Sequence, residues 1–436
     1  MGIFLGRGAN QGAWSGPGRS VMVLGPSRSG KTTGVVLPNL QLAQGPVVAT
    51  STKDDVMCAS WQRRAERGEV FLFDPSGEIE APEGVTRIAW TPLQAARTWE
   101  GALRMASAMV DASSSGPAGG HDHHWRERAG SLLAPMLFAS GERQDMAELL
   151  NWIDRRDGNS ALRRLDQTVG SEHPAAAVLE GILTSDSREL SGIWSTASGV
   201  LSAYRFPAAL ASTQGRAIDV SNFVAESATL YICSPSSVQR AVAPLVVGLL
   251  EEIKEASFRL HARQPDLPST LFALDEVANI APMRGLPALV SEGGGQGVLT
   301  LACLQDLSQA QARWGAQGRG FLSLFPVTMV LPGIADVSTL RDLSTLIGDV
   351  CLPSVSTSSS GRGLRRSSSR TVAPIWKPRA EPSVIAQGKP GAALTLDARR
   401  QASWVQLESF FPEQQEGPPR AKREREVSIQ ARELGR

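Results

Sequence analysis

The run Gly25-Pro26-Ser27-Arg28-Ser29-Gly30-Lys31-Thr32-Thr33 constrains this chain more than any other stretch of its sequence. It is a complete Gly-x-x-x-x-Gly-Lys-Thr pattern. Apolar residues 20–24 precede it as a strand, and a helix can begin at Thr33. Glycines at the two ends let the backbone curl so that its amides face inward at phosphate oxygens, next to a helix N-terminus. Lysine is scarce here, only six in 436 residues, so a chance match is on the order of one in a hundred. The pattern implies a nucleotide site built from Gly25 to Thr33. Lys31 is expected to reach the β- and γ-phosphates of ATP, and the Thr32 hydroxyl to hold Mg²⁺.

A second signal lies far down the chain. Leu271-Phe272-Ala273-Leu274-Asp275-Glu276 is an apolar run ending in two carboxylates. In phosphate-loop ATPases such a strand sits beside the loop. Its first acid holds the metal and its second polarises the attacking water. Asp275 is thus the expected metal ligand and Glu276 the expected catalytic carboxylate. The next apolar run, 298–303, leads into Gln305, whose amide could sense the γ-phosphate. Lys31 and Asp275 stand 244 positions apart, which favours a motor-type ATPase carrying an insertion over a small kinase or GTPase.

Short apolar runs at 20–24, 47–49, 70–73, 229–233, 270–274, 298–303, 327–331 and 392–396 read as strands buried on both faces. Several end in polar residues, Asp74, Ser234, Asp275 and Gln305 among them, at the sheet edge where open α/β folds bind ligands. Between 91 and 215 helical spacing replaces the strand pattern, at 103–110, 125–138, 146–153, 175–183 and 190–204. The expectation is an α/β, RecA-like phosphate-loop domain with a mostly parallel sheet, interrupted by an all-α insert. Residues 1–90 and 216–412 form its two parts, 91–215 the insert and 413–436 a charged tail. The Ser/Gly-rich stretch 112–120 reads as a surface loop. Residues 354–370, rich in Ser, Gly and Arg, read as a flexible solvated loop, with DNA contact as the minority reading.

Composition closes other routes. The net charge of +1 gives no global field for nucleic acid or membrane. Cys58, Cys233, Cys303 and Cys351 lie too far apart for a zinc motif or a disulfide framework. No apolar run is long enough to cross a membrane, and the N-terminus lacks the pattern of a signal peptide. His121-Asp122-His123-His124 reads as an exposed turn rather than a metal site. Trp194 and Tyr204 read as core rather than as base-stacking groups.

In order along the chain, these motifs resemble the TraG/TraD-type coupling proteins of conjugation and type IV secretion, within the FtsK/HerA-like motor ATPases. The likeness runs over most of residues 19–350. It is carried by Gly25–Thr32 with Val35-Val36-Leu37-Pro38-Asn39-Leu40, by Ser51-Thr52-Lys53-Asp54-Asp55, and by Phe73-Asp74-Pro75. Trp90-Thr91-Pro92-Leu93, His124-Trp125-Arg126-Glu127 and Leu274 to Ala278 with Ser291-Glu292-Gly293 continue it, and Gln305 ends it. Ser51 stands where the family has aspartate. Gly294 stands where it has the arginine expected to act as a finger across a subunit interface, leaving Arg284 or Arg313 as substitutes. Family members carry membrane helices before the phosphate loop. Here either a partner supplies the anchor or that part is missing.

The resemblance implies a homo-hexameric ATP hydrolase that moves DNA, single-stranded and with a relaxase, into a type IV secretion channel. Its expected place is the cytoplasm, peripheral at the inner face of the bacterial plasma membrane. A nucleotide-binding substrate adaptor without translocation and an FtsK/HerA-like DNA translocase are the alternatives.

Overall fold

The computed structural model describes residues 2–8, 11–113, 120–360 and 367–408. Its strands are β1 (Phe4–Arg7), β2 (Gly12–Trp14), β3 (Val21–Leu24), β4 (Val47–Ser51), β5 (Val70–Phe73), β6 (Thr86–Arg87) and β7 (Thr229–Cys233). They continue as β8 (Thr270–Leu274), β9 (Val298–Leu304), β10 (Val327–Val330), β11 (Asp349–Ser360), β12 (Ser367–Pro378), β13 (Ala392–Leu396) and β14 (Ala402–Gln406). Twelve of them form one sheet in the order β2-β1-β14-β13-β10-β3-β9-β8-β4-β7-β5-β6. From β10 to β6 every pairing is parallel. Beyond β10 the sheet continues antiparallel through β13, β14, β1 and β2. The acidic strand β8 does not neighbour the phosphate-loop strand β3, because β9 lies between them. This is the RecA-like arrangement, in which the loops that follow β3, β9 and β8 meet at one edge.

Successive side chains of a strand face opposite ways, and the two faces bury different cores. Met22, Leu24, Leu230, Ile232, Phe272 and Leu274 join the core shared with the helical region. Val21, Val23, Tyr231, Cys233, Leu271 and Ala273 face the other layer, with Val35, Val36 and Leu40. The helices Trp99–Ala112, Gly120–Gly141, Met146–Arg155, Gly158–Thr168, Pro174–Leu183 and Ser187–Val200 bury Met105, Leu132, Leu149, Leu165, Leu179 and Trp194 in that first core. The helical region therefore packs continuously with one face of the sheet. Trp90 clamps the junction: its indole donates to Glu252 Oε2 at 2.6 Å, and Tyr204 lies in the same core.

One stretch departs from the sequence reading. The described residues 354–360 and 367–370 do not form an unstructured loop. They belong to β11 and β12, which pair over twelve positions from Asp349↔Pro378 to Ser360↔Ser367. Serine and threonine pair across strands as well as populating loops, so composition alone misreads them. The connecting residues 361–366, most of 112–120 and the tail 413–436 lie outside the described residues.

A buried cation locks the opposite edge of the sheet. Arg64 is fully buried and donates to Thr229 Oγ1 (2.7 Å) and to the carbonyls of Ala43 (2.6 Å), Gly45 (2.9 Å) and Ser227 (3.1 Å). Burial pulls its guanidinium down to about 10. Arg64→Ala would leave these acceptors dry beside a cavity. We expect a loss of roughly 3 kcal/mol or more, read as a lowered urea midpoint with nucleotide binding intact below it.

Candidate nucleotide site

The phosphate loop leaves β3 at Gly25 and enters a helix whose first turn, Thr32–Val36, is of the wide π type before it continues as Leu37–Leu42. Such turns recur at functional sites. Two residues hold the curl. Gly30 has φ +95°, where a side chain is strained, and Arg28 takes a left-handed φ of 64°. Lys31 is buried, and its ammonium donates to the carbonyls of Gly25 (2.5 Å) and Pro26 (2.9 Å). The Ser29 hydroxyl, also buried in the loop, has no protein partner. A ring of backbone around a caged cation is the donor set an anionic phosphate requires.

Residues 243 positions apart meet here. Thr32 Oγ1 donates to Asp275 Oδ2 at 2.8 Å, and Thr50 Oγ1 anchors the Asp275 carbonyl at 3.0 Å. Two hard oxygen donors, one of them anionic, suit an Mg²⁺ ion. Glu276 follows in a left-handed conformation, φ 52°. Its amide donates to Asp275 Oδ1 (3.1 Å) and its carboxylate accepts from Asn279 Nδ2 (3.2 Å). The turn aims both acids into one cavity of about 600 Å³. Ser27, Arg28, Lys31, Thr32, Asp275, Glu276 and Gln305 all line it. Gly30 and Thr33 contribute to the same wall. Gln305 is held through its amide on Gln309 Oε1 (3.0 Å).

Burial raises the Asp275 carboxyl above its ordinary 3.8, against the opposing pull of the Thr32 hydrogen bond and the Lys31 charge. A raised folded-state value stabilises the protein fully below the ordinary carboxylate range. That contribution is lost as pH rises through the raised value. Ionising the buried carboxyl as pH rises therefore costs stability until a cation joins it. We expect Asp275→Asn to raise the thermal midpoint by a few degrees in chelator and to abolish the Mg²⁺-dependent part of nucleotide binding. A midpoint equal to or below wild type in chelator would count against this balance.

Other polar strand ends have other uses. Asp74 accepts the amides of Ser76 (2.9 Å), Gly77 (3.0 Å) and Ile79 (2.9 Å) and pairs with Arg87, so it builds a turn outside the cavity. Ser51 accepts the Lys53 amide at 3.2 Å, doing the turn-forming work of an aspartate. It thereby presents Lys53 and Asp55 to the cavity. Thr52, beside Lys53, also lines the cavity, and Ser236, Gln239 and Asn279, which escaped the motif search, complete it. Position could have found Asn279, one turn after Glu276, and Gln239, just beyond the carboxyl end of β7. Among the described residues no cluster of three or more His, Cys, Asp or Glu could hold a metal by itself. His123 and His124 are exposed and face Glu127 and Glu189.

The glycine at 294 has a steric cause. A Cβ there would sit 1.9 Å from the Gly18 carbonyl oxygen, so no arginine fits at that position. The substitutes are engaged within the chain: Arg284 pairs with Asp111 at 2.8 Å, and Arg313 donates to the Ala112 carbonyl at 2.9 Å. Neither lines the cavity. Among the described residues no helix is long and apolar enough to cross a membrane.

The chain resembles known proteins over most of its length. A family model for type IV secretory system conjugative DNA transfer matches residues 5–378. The chain is similar to protein VirD4 of Agrobacterium fabrum, 25% identical over 355 residues that cover 77% of this chain and 50% of VirD4. It is also similar to the conjugal transfer protein TraG of Escherichia coli, 22% identical over 383 residues, 80% of this chain and 58% of TraG. The chain thus spans about half the length of the curated relatives it matches. The plasmid coupling protein TrwB, solved with the non-hydrolysable ATP analogue ADPNP, superposes with a TM-score of 0.66 at 16% identity, covering 90% of this chain and 86% of that one. TrwB with ADP and Mg²⁺ gives 0.60 at 17% identity, over 92% and 87%. At such identity the likeness speaks for the fold, the RecA-like α/β sheet with its helical insertion. With most of its length inside the family model, the chain belongs to the type IV secretory system conjugative DNA transfer family.

Proposed function

We propose that this chain is an ATP-driven motor that couples conjugative DNA, as a strand or as a relaxase–DNA complex, to a type IV secretion channel. One observation carries the reading. Lys31, Thr32, Asp275, Glu276 and Gln305 converge on a single cavity at the carboxyl edge of a parallel sheet. TrwB, which shares the fold, was solved with ADPNP and with ADP and Mg²⁺.

Lys31 would exchange its two loop carbonyls for the β- and γ-phosphate oxygens, and the amides of Gly25 to Thr33 would surround them. Thr32 and Asp275 would hold Mg²⁺, which supplies charge neutralisation between the phosphates when bound. Glu276, half-buried and steadied by Asn279, would take the proton of the attacking water. Gln305 would report whether the γ-phosphate is still present. Residues 1–90 and 216–412 act in this reading as the two parts of the motor, working as a homo-hexamer. The helical region 91–215 recognises substrate. The site of action is the cytoplasmic face of the plasma membrane.

The test is ATP turnover of the purified chain with and without single- and double-stranded DNA. Stimulation by DNA is the expected result. An oligomeric protein that binds ATP but never hydrolyses it would overturn the motor. The packing of Gly294 against Gly18 favours a second reading, a nucleotide-gated substrate adaptor, because it removes the family's finger from this loop. That reading expects ATP binding to change substrate docking without turnover.

A further inference from the structure

The β11–β12 ribbon is a two-stranded sheet of its own, apart from the main sheet. Its twelve paired positions make an arm about 40 Å long. The base is fixed: the Arg379 amide donates to the Gly348 carbonyl (2.9 Å), Arg379 Nε to the Asp349 carbonyl (3.2 Å), and the Ser344 hydroxyl to the Ala380 carbonyl (2.7 Å). Beyond the base, Leu352, Val355, Val372 and Ile375 are exposed, and Trp376 is 68% exposed. An isolated two-stranded ribbon is at best marginally stable in water, and one with apolar groups on both faces gains by being covered.

Charge says by what. Between Asp349 and Glu381 there is no acidic residue and there are six basic ones, in a chain that is otherwise nearly balanced. Hydroxyl side chains fill much of the rest. Alternation places Arg370, Val372, Pro374 and Trp376 on one face, opposite Thr357, Val355, Pro353 and Cys351. An arginine and an open indole on a flat hydroxyl-rich strand are the means by which sequence-tolerant proteins hold single strands: phosphates on the cation, bases on the ring. A second copy of the chain could cover the arm by adding a strand to its edge. Pro353 and Pro374 oppose that, since they face each other mid-ribbon and neither has an N–H to offer.

We infer that the β11–β12 arm is a nucleic-acid-binding element that grips single-stranded DNA through Arg370 and the face of Trp376, with Lys377, on the other face by the same alternation, adding positive charge beside them. The inference rests on the DNA-handling reading above but concerns a different part of the molecule. The chain returning from the arm also reaches the motor edge. The Gly333 amide donates to the Ala386 carbonyl at 2.7 Å, and Gly333 packs near Pro26 of the phosphate loop.

The experiment measures binding of the full chain to a fluorescent oligothymidine across a salt series. It compares wild type with Arg370→Gln/Lys377→Gln and with Trp376→Ala. All three altered side chains are exposed, so the thermal midpoint and its shift with Mg²⁺ and ATP should stay at wild-type values. The double variant is expected to weaken binding about tenfold and to lower the salt slope by about 0.7 per charge removed. Trp376→Ala is expected to weaken binding about tenfold with the slope unchanged. Wild-type affinity and slope in both variants would overturn the assignment while leaving DNA-stimulated turnover, and so the motor, standing. So would loss of subunit assembly by sedimentation with oligonucleotide binding intact, or loss of binding only to vesicles of anionic lipid. A wild-type chain that binds no nucleic acid would remove the function reading and this one together.

Discussion

Lys31→Ala is expected to abolish nucleotide binding and to lower any ATP turnover by at least about a hundredfold, the scale for removing one pre-positioned charge from a phosphoryl-transfer site. Arg28 and Lys53 also line the cavity, but both are exposed and face water that screens them. Lys31 is the buried cation of the three, fixed between the Gly25 and Pro26 carbonyls. Its charge therefore acts through a drier medium and needs little reordering when phosphate arrives. In the alanine variant those two carbonyls open onto the cavity, where solvent can satisfy them. The chain should stay folded, with a midpoint near wild type. The decisive readout is the thermal shift on adding Mg²⁺ and ATP: present in wild type, absent in the variant. A shift of wild-type size in Lys31→Ala would show that the nucleotide sits elsewhere.

Much of this site was legible because its chemistry is local. Glycine spacing, one lysine and one hydroxyl define a phosphate loop within nine residues, and an apolar run ending in Asp275-Glu276 defines the acid strand. Strands buried on both faces announce themselves as apolar runs, and every such run from 20–24 to 392–396 coincides with a strand of the main sheet. What sequence conceals is whatever depends on contacts between distant segments. Gly294 reads as a lost arginine, yet the cause is the Gly18 backbone against it. Nothing local in the sequence marks Arg64, which is fully buried among carbonyls of two other segments, 43–45 and 227. The β11–β12 ribbon has the composition of a linker, and only its cross-strand register makes it an arm. Strands β1 and β2 span only four and three residues and β14 is mostly exposed, so none shows a long buried apolar run, and they extend the sheet by pairing beyond β13.

Glu276→Gln should separate binding from chemistry. The side chain keeps its length, and its amide oxygen can still accept from Asn279 Nδ2, so the left-handed turn after β8 has no reason to move. Asp275 and Thr32 remain as the metal-binding pair. What is lost is the carboxylate able to take a proton from water, and general-base catalysis is commonly worth about 10²–10⁴ in rate. The expected variant binds ATP with Mg²⁺ at wild-type affinity, shows the full nucleotide-dependent thermal shift, and turns over at least about a hundredfold more slowly. It therefore accumulates the ATP-bound state. Asp275→Asn should give the opposite pair of results, a stabilised protein that no longer responds to Mg²⁺, because its carboxylate meets the metal rather than the water. In the proposed reading, adjacent carboxylates on one turn take different tasks according to burial, with Asp275 enclosed against Thr32 and Glu276 half-open to the cavity. Wild-type turnover in Glu276→Gln would place the base elsewhere. In that case the amide of Gln305, the remaining polar group at the end of β9 in the same cavity, would have to be sufficient to position the water.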